Sequence, residues 1–171
     1  MELFCMVSNS RKKGHLPIFG AGPAYVITIV ALTIAGIVLS QLGILPYLRI
    51  RSTIIVLHSL GTVCFIVGIW LWVSAAIKEK LQDKIVANKL VTTGVYSVVR
   101  HPIYSAFAFV LTGILLIYSN LYLLLLPFIY WAFLTALMKA TEEKWLVDQF
   151  GKEYEDYCRQ VNRCIPWFPK R

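Results

Sequence analysis

A chain of 171 residues that is 58% hydrophobic and only 15% charged, with a mean hydropathy of +0.66, lies outside the balance of a water-soluble domain. That excludes a soluble enzyme and predicts an integral membrane protein. The formal net charge of +8 needs no nucleic acid to explain it, because anionic lipid headgroups attract basic residues beside a membrane at about 1 kcal/mol each.

The first 22 residues carry Arg11, Lys12 and Lys13 but no apolar run ending in a small-residue cleavage site, so no removable signal peptide is expected. Residues 23–45 and 52–77 are then free of charge, and each exceeds the roughly 20 apolar residues that a spanning helix needs. Arg49 and Arg51 lie between them. His58 falls in mid-span and is expected to hydrogen-bond a neighbouring helix, while Gly61 and Gly68 suit close helix packing. A polar stretch, 78–89, follows, and 90–94 (Leu-Val-Thr-Thr-Gly) reads as an extended approach ending in a turn.

Two further apolar segments, 102–118 and 121–138, are separated only by Ser119-Asn120, which predicts an antiparallel helical hairpin. Pro102 suits the first turn of its helix, where the missing N–H costs nothing. Arg100 and His101 therefore stand just outside a helix N-terminus, where unpaired N–H groups and the dipole favour an anion. The last span runs without a breaker from Leu121 to Phe150-Gly151. At 1.5 Å per residue it is roughly 45 Å long, against a hydrocarbon core of roughly 30 Å, so its final turns project from the membrane. A short amphipathic helix over 152–161 follows and is expected to lie along the membrane surface, before Pro166-Trp167-Phe168-Pro169. Tyr154, Tyr157, Trp145 and Trp167 read as interfacial anchors.

The charges predict the orientation. With both termini on one side, fifteen of the 17 Lys and Arg share it, so both termini and the 78–101 loop are placed in the cytoplasm. The four cysteines, Cys5, Cys64, Cys158 and Cys164, include no Cys-x-x-Cys and no histidine at zinc spacing, which predicts free thiols and no metal site. No internal repeat divides the chain. The expected fold is a single all-α membrane domain over 1–171 with about four transmembrane helices, comprising N-terminal spans and loop (1–89) and a core (90–168).

The hairpin has a geometric consequence. The outward helix covers about 24 Å and the same distance back ends near Leu137, so Glu142 and Glu143 lie only about 7 Å further on. Two carboxylates thus return to the level of Arg100 and His101. Adjacent helical residues point about 100° apart, so one glutamate aims into a shared site and the other flanks it, unless the site wraps the helix.

Gly94-x-Tyr96, Arg100-His101-Pro102-x-Tyr104, the apolar hairpin, Glu142-Glu143, Phe150-Gly151-x-x-Tyr154-x-x-Tyr157 and Arg163-Cys164-Ile165-Pro166 together resemble the isoprenylcysteine carboxyl methyltransferase and phospholipid methyltransferase family of membrane enzymes. The likeness covers roughly 90–168. It implies a methyltransferase whose S-adenosylmethionine site is cytoplasmic and built from Tyr96, His101, Pro102, Tyr104, Glu142 and Glu143. Ala106 stands where many members have glycine, and the animal prenylcysteine enzymes carry an arginine at the position of Gln160.

The acceptor decides what else is needed. A prenylcysteine carboxylate is already ionised at neutral pH and needs a cation to hold it, for which Arg100 is the first choice and Arg163 the second. The amine of an ethanolamine phospholipid must instead lose a proton, which calls on Glu142, Glu143 or His101. The best expectation is a lipidic, isoprenylcysteine-like acceptor entering from the bilayer, with the phospholipid amine as alternative. Two other classes stay open: an NADPH-dependent membrane reductase, since sterol reductases share part of the architecture that the resemblance implies, and a non-catalytic scaffold.

Overall fold

The computed structural model describes residues 21–78 and 90–166. Cys5, the basic residues 11–13, most of the 78–89 loop and Trp167, for which the sequence carries expectations, lie outside them. Helix α1 (Gly22–Gln41) opens with Pro23 in its first turn, as its fixed φ favours. It ends before the expected residue 45. Gly43 takes φ 73°, and the N–H groups of Ile44 and Leu45 both fold back onto Leu39 O at 3.0 Å, so 42–45 cap the helix instead of extending it. Helix α2 (Ile54–Val73) sits between a 3-10 turn, Arg51–Thr53, and a π turn, Ser74–Lys78. Helix α3 (Pro102–Tyr118) runs out to Ser119, which adopts the left-handed conformation at φ 60°. A 3-10 turn, Leu121–Leu125, leads into α4 (Leu126–Ala140), α5 (Glu142–Phe150) and α6 (Lys152–Gln160).

Gly22–Gln41, Arg51–Ala76 and Leu121–Phe150 are long and apolar enough to cross a membrane, and Pro102–Tyr118 is a shorter apolar helix. Most of each long span is unburied inside the protein, with Ile55, Val56, Ile66 and Phe128 facing outward. Apolar surface on that scale requires lipid. The protein is an all-α polytopic membrane protein.

The α2–α3 seam is the closest packing in the bundle. A Cβ on Gly61 would come within 2.8 Å of Gly113 O, one on Gly113 within 2.7 Å of Gly61 O, and one on Gly68 within 2.8 Å of Ala106 O. Small residues thus recur every seventh position on both helices, and the backbones touch, as van der Waals association in lipid favours. Ala106, buried at 1% exposure, is accommodated because the glycine lies opposite it, at Gly68.

The hairpin tip is locked by Asn120, which is fully buried. Its Nδ2 donates to Ser40 Oγ (2.9 Å) and Pro46 O (3.1 Å), and its Oδ1 accepts from the N–H groups of Leu48 and Tyr122 (both 3.3 Å). Complete pairing is what makes a buried amide tolerable at that depth. On the other side of the bundle Tyr130 joins α4 to α1: its hydroxyl lies 2.7 Å from Thr33 Oγ1 and its carbonyl accepts from Tyr25 at 3.3 Å.

Three further expectations change. The last span is not continuous: Thr141 (φ −125°, ψ −88°) interrupts it between α4 and α5, with its hydroxyl donating back to Leu137 O at 2.7 Å, a geometry that bends helices. Tyr154 and Tyr157 are not interfacial anchors, since both are buried and pack with Val161 against Leu90, Leu146 and Phe150. His58 Nε2 is buried without a hydrogen-bond partner, so it does not bond a neighbouring helix through that atom.

Candidate active site

The segment before α3 is shaped by a 3-10 turn, Gly94–Ser97, entered by Gly94 at φ 60°. The turn delivers Val99, Arg100 and His101 alongside the chain that follows α6. Val99 and Asn162 form an isolated parallel bridge, Arg100 N donates to Asn162 O at 2.8 Å, and His101 N donates to Arg163 O at 3.2 Å. Ser105, one turn into α3, donates its hydroxyl to Cys164 O at 2.5 Å. The 162–164 segment is therefore strapped along the start of α3, which brings Arg163 beside Arg100.

The bend at Thr141 supplies the other wall by aiming the first turn of α5 at that segment. Glu143, 9% exposed, is held in a bidentate fork by Arg163, with Nε at 2.6 Å from Oε1 and Nη2 at 2.8 Å from Oε2. Arg100 Nη1 lies 3.2 Å from the same Oε1 and also donates to Cys158 Sγ. A bidentate charge-assisted pair is the strongest arrangement open to these groups. The bond from Glu143 raises the pKa of Arg163 still further, so its positive charge is fixed.

Glu142 has a different partner: its Oε1 accepts the Tyr104 hydroxyl at 2.7 Å. The Tyr104 and His101 rings stack, with centroids 5.9 Å apart and planes 16° from parallel. His101 stands between the two carboxylates, Nδ1 at 3.7 Å from Glu142 Oε2 and Nε2 at 3.6 Å from Glu143 Oε1. Both distances exceed a hydrogen bond, and Nε2 is a buried atom without a hydrogen-bond partner. Two guanidiniums thus balance two carboxylates around an imidazole. The N-terminus of α5 adds its favourable dipole to both glutamates.

The expected residues are brought together as follows. Arg100, His101, Tyr104, Glu142, Glu143 and Arg163 form one contiguous cluster, and both glutamates take part because the site wraps the first turn of α5. Pro102 is buried at the start of α3, where it fixes the turn. Tyr96 packs with Leu71, Val91, Val99 and Ala106, its carbonyl accepts the Tyr157 hydroxyl at 2.5 Å, and its phenol acts electrostatically on that of Tyr104. Burial raises the pKa of Tyr157, which keeps that donor protonated. Sequence reasoning missed Ser105, the contact of Cys158 with Arg100, and the pairing of 162–164 with the start of α3. Arg163 and Cys164 belong to a motif already named, but nothing in that motif announces the pairing.

The phospholipid methyltransferase family matches this chain over residues 56–153. The protein-S-isoprenylcysteine O-methyltransferase of Schizosaccharomyces pombe is 35% identical over 65% of this chain and 49% of its own length. That of Saccharomyces cerevisiae is 39% identical over 46% of this chain and 33% of its own length. The probable protein-S-isoprenylcysteine O-methyltransferase of Oryza sativa subsp. indica is 35% identical over 47% and 42%. The chain thus spans half or less of the length of these curated relatives. No solved structure matches it. The matched region holds the hairpin, the Arg-His-Pro segment and the paired glutamates, and on that match the chain belongs to the phospholipid methyltransferase family.

Proposed function

We propose that this protein is an S-adenosylmethionine-dependent methyltransferase that methylates the carboxylate of an isoprenylcysteine-like lipid at the cytoplasmic face of its membrane. The observation that carries the reading is the return of Glu142 and Glu143, by way of the hairpin, onto Arg100, His101 and Tyr104. The names of the curated relatives support the acceptor, and the bias of basic residues supports the cytoplasmic side.

The residues present suit the cofactor. Carboxylates match its ammonium and ribose hydroxyls, and cations match its carboxylate; the buried His101 Nε2, which faces Glu143 Oε1 at 3.6 Å, is available to a polar ligand. Glu142, His101 and Tyr104 would hold it, with Tyr96 and Pro102 fixing the segment that carries them. When bound, S-adenosylmethionine supplies a methyl group already activated by a positive sulfur.

What remains for the protein is alignment and exclusion of water. Arg100 and Arg163 orient the acceptor carboxylate, and Glu143 holds the two guanidiniums side by side so that they are in place beforehand. The acceptor is already an anion, so no group has to remove a proton. A second reading, N-methylation of an ethanolamine phospholipid, gains from the fact that both arginines are already engaged by Glu143. In it Glu142 takes the proton from the amine.

Titration calorimetry of detergent-purified protein tests the cofactor. Saturable binding of S-adenosylmethionine is expected, weakened by Glu142→Gln and by His101→Ala. Binding of NADPH with none of S-adenosylmethionine would return the choice to a reductase, and binding of neither by folded protein to a scaffold.

A further inference from the structure

We infer that Gly22, at the first turn of α1 and outside the region that matches the family, is a positioning residue for Tyr104 and through it for Glu142. The consequence for ligand binding rests on the cofactor reading above. The Tyr104 ring is boxed on three sides. His101 stacks on it at 5.9 Å, Tyr25 of α1 meets it edge-on at 6.2 Å and 62°, and Gly22 closes the remaining side. A Cβ on Gly22 would lie 2.5 Å from Tyr104 Cζ, and closer still to Cε1 and the hydroxyl oxygen. No real Cβ tolerates such contact.

Two facts turn this clash into a positioning role. Tyr25 is itself fully buried and fixed to Tyr130 O, so the α1 side of the box is fixed to α4. Tyr104 by contrast presents the far end of a long side chain, so it is the phenol that must give way. What it loses by moving is the 2.7 Å bond to Glu142 Oε1. Helix α1 therefore sets the orientation of a carboxylate on α5 through a tyrosine on α3, and it does so by lacking a side chain at one position.

Double-mutant cycles on the full chain in detergent test this. In ligand-free protein followed by thermal melting, Gly22→Ala and Tyr104→Phe each lower the melting temperature, and the double variant melts no lower than the weaker single variant. With the ring removed by Tyr104→Ala, Gly22→Ala has no further effect. In calorimetric titration, Gly22→Ala weakens S-adenosylmethionine binding about tenfold, the size of one hydrogen bond to a charged group, and adds nothing to Tyr104→Phe. A purely structural glycine would give additive losses in both cycles. Additivity, or full affinity in a Gly22→Ala protein, overturns the inference. Failure of the wild-type chain to bind S-adenosylmethionine overturns the cofactor reading instead, and the ligand-free cycle then decides whether Gly22 positions Tyr104.

Discussion

Glu143→Gln lowers the melting temperature by about 6–12 °C, whereas Glu142→Gln changes it by a small fraction of that and acts mainly on ligand affinity. The two neighbours differ because of what they hold. Glu143 is the common partner of two guanidiniums, taking two hydrogen bonds from Arg163 and a 3.2 Å contact from Arg100, whose side chain is 7% exposed. Removing its charge leaves the buried Arg100 and the part-buried Arg163 without their common counter-charge. Breaking a buried pair from one side costs about 3–5 kcal/mol, and the hydrogen bonds a glutamine retains put this case near about 3. For a chain of this size each kcal/mol moves the midpoint by about 2–4 °C. Glu142 instead accepts one phenol, which the amide oxygen of a glutamine can still accept, so the loss of its charge is felt mainly by the ligand. Comparable melting of the two variants would show that Glu143 does not organise the cluster. A Glu143→Gln, Arg163→Met double variant recovers part of the loss, because the stranded cation is removed with its partner.

Gly113→Ile abolishes accumulation of folded protein, and Gly61→Ile does the same. At this seam the nearest atom that a new Cβ meets is backbone on both sides: Gly61 O at 2.7 Å from one and Gly113 O at 2.8 Å from the other. A backbone carbonyl in a helix cannot swing aside, so α2 and α3 must separate along their length. Overpacking of a yielding core costs about 1–3 kcal/mol, and this contact does not yield. Gly36→Ala is the control, since a Cβ there meets only leucine side-chain ends, Leu123 Cδ2 at 2.9 Å and Leu126 Cδ1 at 3.4 Å, which can rotate. Fluorescence-detected gel filtration of the three variants reads the difference. A monodisperse Gly113→Ile protein with unaltered melting would show that the seam is not close-packed in the membrane.

Legibility in the sequence followed the range of the interactions concerned. The spans and the hairpin were visible because they are written as long uncharged runs with a two-residue link, and the return of Glu142 and Glu143 to Arg100 and His101 followed from helix rise; Tyr104 came from the family resemblance and Arg163 from the needs of an acceptor carboxylate. The break at Thr141 was not, because a threonine carries no breaker signal and its bend depends on a hydroxyl turning back to Leu137 O. The end of α1 was overrun because the apolar run continues past Gly43, and only the positive φ of that glycine stops the helix. Tyr154 and Tyr157 carry the composition of an interfacial belt, yet α6 turns them inward against Leu90 and Leu146. The pairing of 99–101 with 162–164 joins segments far apart in the chain, with no periodicity to announce it. Gly22 had no motif around it, and its meaning rests entirely on which ring lies opposite.

The most direct test of the central claim is transfer of a radiolabelled methyl group from S-adenosylmethionine by the purified protein, offered N-acetyl-S-prenylcysteine and phosphatidylethanolamine in separate mixed micelles. The arrangement described here predicts label in the prenylcysteine as a base-labile methyl ester, lost in Glu142→Gln and reduced at least tenfold in Arg163→Met, the scale of one charge-assisted contact. Label appearing only in the phospholipid amine, or in neither acceptor although the protein binds the methyl donor, would contradict the assignment of Arg100 and Arg163 to an acceptor carboxylate.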